Sequence, residues 1–419
     1  SPSEVDERGI DLRRESAVVA VDPDAKRVTV ETVDGERTEQ AYGDLLVATG
    51  ARADPGPFDV RGLDGAFTLH DMDAAAAIDA YVAEPEAYDP SRADVSAVDR
   101  ERVERNAAMA APETAAVVGG GYVGVEVAEA LAERGLDVTV YHRSGHLLRP
   151  FGETVGNRVE EALEAEGVAV RTDSPVEALV GDDRIEAVAV GSEADGGGPE
   201  RVPADMAVVG VGIRPNTDLL DGTGVDTGPG GAVRVDDHGR TSLPDVYAAG
   251  DCATARHAVT GEPDWTPLGL TANRAGRAVG ATVAGDPTPV GDIAGTAAVK
   301  AFDTEAARVG ILDREEAAAA GFDPVAETVT AGSRSGYYPG AAETDVTLVA
   351  DRDTGRLLGG SVVGTDRAAV RIDTLATAIE ADMTVPEVER LDLAYAPPFS
   401  PVWDPVLVAA KVLNGTLEG

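Results

Sequence analysis

The sequence is short of three things. It has one cysteine, Cys252, in 419 residues. A single thiol can build no disulfide within the chain and no multi-cysteine metal site, and it fits a reducing, cytoplasmic setting. Lysine is nearly absent: Lys26, Lys300 and Lys411 stand against 32 arginines (35 basic residues less 3). No apolar run is long enough to span a bilayer, and no charged-then-apolar export signal opens the chain. What is abundant is acid, giving a net charge of −40. Such a surface repels nucleic acid and anionic lipid. The composition favours adaptation to high salt, where a Debye length of about 3 Å stops dense carboxylates from repelling one another.

With 419 residues, 43% of them hydrophobic, the chain is expected to form more than one core. Val18–Val21 and Val28–Val33 read as short strands parted by Asp22-Pro23-Asp24, and Leu45–Ala48 as a third. Residues 82–112 are polar and without period, as in a surface insertion or linker. From Ala115 to about Pro244 strands and helices alternate, which predicts a parallel sheet. Strands are expected at 115–118, 137–141, 168–172 and 206–211, and helices at 123–134 and 153–166. A further helix is expected near 268–284. Beyond residue 295 the texture becomes α+β, with strands near 296–302, 326–331, 345–350 and 357–363, then helices near 367–381 and 404–413.

The most specific signal is Ala115-Ala-Val-Val-Gly119-Gly-Gly121-Tyr-Val-Gly124-Val-Glu126. Gly119 permits a tight turn, Gly121 lets backbone approach a pyrophosphate, and Gly124 lets the helix pack close to the strand. The helix N-terminus then meets the phosphates, and Glu126 lies one turn further on. The strand before, the amphipathic helix after and the second strand at Asp137–Tyr141 supply the context that a bare GxGxxG lacks. An acid at the end of that second strand would favour NAD. Here His142-Arg143-Ser144 stands instead, and a guanidinium with a hydroxyl suits a 2′-phosphate, so NADPH is favoured over NADH.

Three further turns suit a dinucleotide passing close to backbone. Two are Ala48-Thr49-Gly50 and Val209-Gly210-Val211-Gly212, each at the end of an apolar strand. The third, Val246-Tyr-Ala-Ala-Gly250-Asp251, is more specific, because an acid after the glycine can accept from a ribityl chain. Cys252, next to it, reads as a small buried residue rather than a redox group.

The order Ala-Thr-Gly, Gly-Gly-Gly-Tyr-Val-Gly, Gly-Val-Gly-Ile-Arg-Pro-Asn, Tyr-Ala-Ala-Gly-Asp resembles the pyridine nucleotide–disulfide oxidoreductases over essentially the whole chain. The resemblance implies FAD and NAD(P)H in two Rossmann-like domains, the first incomplete, and a C-terminal α+β domain that makes a homodimer. The domains would be 1–111 with 242–294 for FAD, 112–241 for NAD(P), and 295–419 for dimerisation. It also implies that Thr49, Gly50 and Asp251 contact FAD, with Thr266-Pro267-Leu268 beside the isoalloxazine ring.

The tail separates branches of the family. A His–Glu acid–base pair is excluded there, because no histidine follows His257. Instead Ser335-Gly-Tyr337-Tyr338 and Leu391-Asp-Leu-Ala-Tyr395-Ala-Pro-Pro-Phe-Ser400 are similar to the coenzyme A-disulfide reductase and NADH oxidase branch. Tyr395 and Tyr337 would then donate to a leaving thiolate, while Tyr338 reads as an interface aromatic. Coenzyme A contacts would fall near Asn273, Trp403 and Lys411, the tryptophan stacking on adenine and the lysine meeting a phosphate. Two expected parts of the family pattern are not found: an opening strand–GxGxxG–helix and a redox cysteine within Ser-Phe-x-x-Cys-Gly. The resemblance thus implies a chain lacking its N-terminal FAD-binding segment, about seventy residues by ordinary βαβ spacing. The leading expectation is an oxidoreductase passing hydride from NAD(P)H to FAD and on to coenzyme A disulfide or a persulfide. The alternatives are an NADH oxidase or peroxidase, and a non-catalytic dimeric remnant that binds nucleotide. A ferredoxin- or rubredoxin-reductase shares the two-domain plan but accounts less well for the tyrosines.

Overall fold

The computed structural model describes residues 7–83, 100–191 and 198–419. They fall into two compact units. One takes the chain up to Arg52, Arg214–Arg256 and Glu262–Gly291; the other takes Ala53–Ile213, His257–Gly261 and Asp292–Gly419.

In the first unit, Ser16–Asp22, Arg27–Thr32 and Arg37–Ala41 form an antiparallel sheet. Its first turn is the Asp-Pro-Asp break, where the Asp22 carboxylate accepts the Ala25 N–H at 2.9 Å. The dinucleotide-type turns stand on a parallel pair, Leu45–Val47 beside Val246–Ala248. Val47, Leu220, Val233, Val246, Ala248 and Cys252 form the core beneath them. The helix Gly269–Val283 seals one side by packing Ala275 and Val279 on Ala249.

The second unit contains the expected parallel sheet, in the order Ala66–Thr68, Met206–Val209, Thr114–Val118, Asp137–Tyr141, Ala169–Arg171. All four residues of Met206–Val209 are buried, as are the last four of Thr114–Val118. A sheet covered on both faces calls for such unbroken apolar runs rather than alternation. The helices Tyr122–Ala132 and Glu153–Ala165 follow their strands as the alternation requires. Two expectations need correction. Before residue 244 the alternation is interrupted by an antiparallel sheet of Val176–Val180, Ala187–Val190 and Glu200–Pro203. Part of 82–112 lies outside the described residues, but Arg100–Ala107 is a helix rather than bare linker. It buries Val103 and Asn106, and the Asn106 amide donates to the Ala77 carbonyl of the helix Met72–Val82 at 3.2 Å.

The C-terminal part of this unit is a five-stranded antiparallel sheet. Its order is Ala297–Ala301, Thr304–Gly310, Leu357–Gly364, Glu343–Asp351, Pro324–Gly332. Ile372, Leu375, Ala378 and Ile379 of one helix, and Val406, Ala409, Ala410 and Leu413 of another, complete its core. The expected helix at 367–381 starts only at Ile372, after a short 3₁₀ turn at Ala369–Arg371. Among the described residues, no helix is long and apolar enough to cross a membrane.

Candidate functional site

The glycines after Val118 are fixed by what surrounds them. Gly119 has φ of +109°, and a Cβ there would lie 2.4 Å from the Gly210 carbonyl oxygen. A Cβ on Gly124 would lie 1.8 Å from the Gly119 oxygen, so the helix can lie this close only without a side chain. Gly121 is different: nothing comes within 4 Å of its would-be Cβ. It is also the helix N-cap and offers no side-chain bond to the first turn. Open space, free N–H groups and the positive end of the helix meet at one point, which is what a pyrophosphate needs.

The end of the second strand joins this turn. His142 Nδ1 accepts the Gly120 N–H at 3.0 Å. That bond requires a bare Nδ1, so the neutral ring carries its proton on Nε2, which is buried without a partner. Burial, then repulsion from His146 and Arg143, holds the imidazole below the usual histidine value, with Asp173 opposing. Arg143 is exposed and forms no ion pair among the described residues. Ser144 stands half-buried beside it, its carbonyl taking the Asp173 N–H at 3.2 Å. On the helix, burial and then the Glu129 carboxylate push the Glu126 carboxyl up. Gly212 has φ of +152° with open space beside it.

Sequence reasoning gave Tyr122 no role, yet it is the first residue of this helix and sits at the same turn. Its ring meets Phe151 edge-on at 5.1 Å. Burial raises its phenol, and the charge of Arg308 opposes the shift without reversing it.

The first unit repeats the turn with different supports. Gly50 and Gly250 take φ of +67° and +83° at the ends of the paired strands. Asn216 clasps the Ala48-Thr49-Gly50 turn: its backbone N–H donates to the Gly50 carbonyl at 2.9 Å and its amide to the Thr49 carbonyl at 2.9 Å. The Thr49 hydroxyl returns a bond to the Asn216 carbonyl at 2.5 Å, so its hydrogen is already committed. Arg52 then holds the Asn216 amide oxygen at 2.8 Å. Asn216 is the last residue of the Ile-Arg-Pro-Asn motif, which was the only sequence hint of this role. Asp251 supplies the test of fit for FAD. Its carbonyl takes the Trp265 indole N–H at 2.9 Å, but Oδ1 is buried and finds no donor. A buried carboxylate oxygen without a donor is costly, and ribityl hydroxyls would satisfy it. Pro267 and Leu268 are half-buried just ahead of the helix Gly269–Val283, whose N-terminus also lacks a side-chain cap. Cys252 is fully buried, with Sγ against the carbonyls of Val47 and Ala249 at 3.5 and 3.4 Å. Asn273 is exposed on the same helix, and its amide N–H is turned back on the Gly269 carbonyl at 2.9 Å.

In the C-terminal part of the second unit the two tyrosine-bearing loops lie side by side. The Ser335 N–H donates to the Pro397 carbonyl at 3.3 Å, two residues from each tyrosine. Tyr337 is 78% exposed and Tyr395 50%, so both phenols can reach a ligand. Tyr338 is more covered, at 38% exposure, with the Arg334 guanidinium 6.0 Å from its ring centre. Trp403 and Lys411 also come together: the ammonium lies 5.6 Å from the indole centroid. The lysine therefore covers one face of the ring expected to stack on adenine, leaving the other for a ligand.

A family model described as pyridine nucleotide-disulphide oxidoreductase matches residues 3–276, and one described as the dimerisation domain of these enzymes matches residues 296–405. The chain is 34% identical over 411 residues to the NAD(P)H coenzyme A polysulfide/persulfide reductase of Pyrococcus horikoshii, covering 98% of this chain and 84% of that one. It is similar to the solved NAD-dependent persulfide reductase from A. fulgidus, at 32% identity and TM-score 0.86, over 99% of this chain and 71% of that one. It is also similar to an engineered water-forming NADPH oxidase bound to NADPH, derived from the NADH oxidase of Lactobacillus brevis. There the identity is 25% and the TM-score 0.85, over 100% of this chain and 86% of that one. The substitutions recorded for that enzyme replace a consecutive Asp-Ala-Met by Ala-Arg-Ser. None of these matches supports the expected loss of an N-terminal segment.

Proposed function

The chain belongs to the pyridine nucleotide-disulphide oxidoreductases and is an FAD-dependent NAD(P)H oxidoreductase, and from that premise we propose that it reduces the sulfur–sulfur bond of coenzyme A disulfide or a coenzyme A persulfide. The observation that carries this reading is the joining of the Tyr337 and Tyr395 loops through Ser335 and Pro397, with both phenols exposed. The reaction takes a hydride and a proton: R–S–S–R, NADPH and H⁺ give two thiols and NADP⁺. Bound FAD, held at the turns of Thr49, Gly50, Gly250 and Asp251, would supply the two-electron relay between nicotinamide and sulfur.

The chain's own residues bind, orient and supply protons. Gly119, Gly121 and Gly124 open the turn to the pyrophosphate. Glu126, on the helix that this turn begins, belongs to the same nucleotide site. Thr49, Gly50, Gly250 and Asp251 would hold FAD at this turn, Asp251 Oδ1 would accept from ribityl hydroxyls, and Pro267 and Leu268 are the candidates to flank the ring. The Tyr395 hydroxyl, aided by Tyr337, donates to the thiolate released when the sulfur–sulfur bond breaks. Asn273, Trp403 and Lys411 are the candidate coenzyme A contacts. Cys252 takes no part, because its Sγ is packed in the core against the carbonyls of Val47 and Ala249.

NADPH is the preferred reductant. Arg143-Ser144 is an Arg-Ser dipeptide like the one introduced into the engineered NADPH-bound oxidase, and Arg143 forms no ion pair among the described residues. The enzyme works as a cytoplasmic homodimer, in keeping with its dimerisation domain. The net charge of −40 suits high salt, so lowering the salt should lower the unfolding temperature.

The deciding experiment follows NADPH oxidation by the flavin-loaded protein with and without coenzyme A disulfide, together with oxygen uptake. Consumption that depends on the disulfide, with thiol released, is the expected result. Consumption matched by oxygen uptake and indifferent to the disulfide overturns the reading in favour of an oxidase.

A further inference from the structure

The two tyrosine-bearing loops share one buried cation. Arg371, only 7% exposed, stands where a short 3₁₀ turn passes into the helix Ile372–Glu380. Its Nη2 donates to the Ser333 carbonyl at 2.5 Å, at the root of the loop carrying Tyr337, and to the Phe399 carbonyl at 3.4 Å, in the loop carrying Tyr395. Nη1 donates to the carbonyls of Arg367 and Asp366 at 2.6 and 3.4 Å, and Nε to Asp404 Oδ2 at 3.1 Å. A guanidinium has five N–H donors in one rigid plane, and here each has an acceptor.

The partners of Arg371 are themselves tied down. Asp404 Oδ2 also takes the Ser400 hydroxyl at 3.0 Å, and its Oδ1 caps the helix Pro405–Glu418 through the Val406 N–H at 3.0 Å. The Asp366 carboxylate holds the Ser333 hydroxyl at 2.6 Å and both prongs of Arg334. The Ser333 N–H closes the first loop on the Ala342 carbonyl at 2.7 Å. By contrast, neither the Tyr337 nor the Tyr395 hydroxyl has a hydrogen bond of its own among the described residues. The place of each phenol is thus set by the root of its loop, and both roots meet at Arg371.

We propose that Arg371 is the positioning residue of the sulfur chemistry, fixing the Tyr337 and Tyr395 loops relative to one another through the carbonyls of Ser333 and Phe399. The proposal rests on the reading of the two phenols as donors to the leaving thiolate. Arg371 touches no substrate; it acts by holding the two donors at one separation.

The test is a double-mutant cycle on the flavin-loaded protein, combining Arg371→Lys with Tyr395→Phe. An ammonium keeps the charge but has three donors and no plane, so it cannot span both loops. Turnover with coenzyme A disulfide should fall by about 10- to 100-fold in Arg371→Lys, the scale of a reacting group misplaced by about 1 Å. Reduction of an artificial dye by NADPH bypasses the phenols and should keep its rate and its KM for NADPH. Tyr395→Phe should then cost much less in the Arg371→Lys background than alone, because the phenol is already out of place.

Full multiplication of the two losses, or an equal fall in dye and disulfide turnover, overturns the proposal while leaving the tyrosine reading intact. Unchanged disulfide turnover in Tyr395→Phe alone defeats the tyrosine reading, and the proposal with it. If Arg371→Lys does not fold, Asp404→Asn decides, since its amide oxygen can keep the helix cap at Val406 while the other side loses its hold on the guanidinium and on the Ser400 hydroxyl. It should lower disulfide turnover but not dye turnover, and unchanged disulfide turnover overturns the proposal.

Discussion

The two dinucleotide turns use nearly the same short residues and are held in opposite ways. The turn at Gly119–Gly124 lies in a five-stranded sheet with a neighbouring strand on either side, and its shape is set by where a Cβ cannot go. Among the described residues only one polar side chain, His142, bonds to it. The turn at Thr49–Gly50 and Gly250–Asp251 stands on two three-residue strands paired with each other. Polar side chains do the holding there: Asn216, Thr49 and Arg52 around one strand end, and Trp265 on the Asp251 carbonyl. One turn is kept by exclusion, the other by hydrogen bonds. The first should break under an added methyl and the second under a lost amide.

The largest effect should come from Gly124→Ala. With the Gly119 oxygen 1.8 Å from the new Cβ, the helix must move away from the strand. We expect a loss of about 1–3 kcal/mol or more in stability and no measurable NADPH binding, read by thermal unfolding and by titration of nucleotide fluorescence. Gly121→Ala sharpens the contrast, since its methyl enters open space. Stability should stay within about 1 kcal/mol of the parent while NADPH binding is lost. A Gly121→Ala protein that bound NADPH normally would show that the open space is not where the pyrophosphate lies.

Asn216→Ala is the next in size. It removes the amide bond to Thr49 and leaves Arg52 without its amide acceptor, at a cost of about 1–2 kcal/mol. Flavin should wash out of this variant on gel filtration while NADPH still binds. Loss of both together would dissolve the distinction between the turns.

A smaller effect should follow pH. The folded value of His142 lies below its ordinary 6.5, so its contribution to stability is present above 6.5 and is lost as pH falls through the lowered folded value. A proton on Nδ1 would also replace the acceptor of the Gly120 N–H by a donor. NADPH affinity should therefore weaken as pH falls through that lowered value, and His142→Asn, whose amide oxygen can take the same N–H, should flatten that dependence. An identical pH profile in the variant would place the titration elsewhere. Least of all should come from Asp218→Asn, which removes the exposed partner of Arg52 at 2.9 Å. That should cost less than about 1 kcal/mol, and flavin retention should survive it.

The same contrast explains what was legible in the sequence. The strand–turn–helix–strand from Thr114 to Tyr141 could be read nearly to its boundaries, because glycine spacing and apolar runs are local and the constraint on them is steric. Asn216 could not be assigned, because its bonds span 167 positions in the chain. Arg371 was equally silent: an arginine between apolar residues looks like any helix start until the carbonyls of Ser333 and Phe399 close on it. The helix Arg100–Ala107 was missed because most of it is charged, and among its described side chains only Val103 and Asn106 are buried. The strand Ala66–Thr68 is three residues long and exists only because Met206–Val209 lies beside it. The tyrosines were found through resemblance, and the structure added the bond that joins their loops.

The burial of Cys252 gives this chain a built-in reporter. Its sole thiol sits under the second turn, wedged between the carbonyls of Val47 and Ala249. A thiol reagent can therefore react only when that part of the first unit opens. Where closing outpaces reaction, the labelling rate under native conditions reports how often the flavin turn comes apart. Adding FAD should slow the label, and adding NADPH alone should leave it unchanged. One atom thus lets the breathing of one turn be timed separately from the unfolding of the whole.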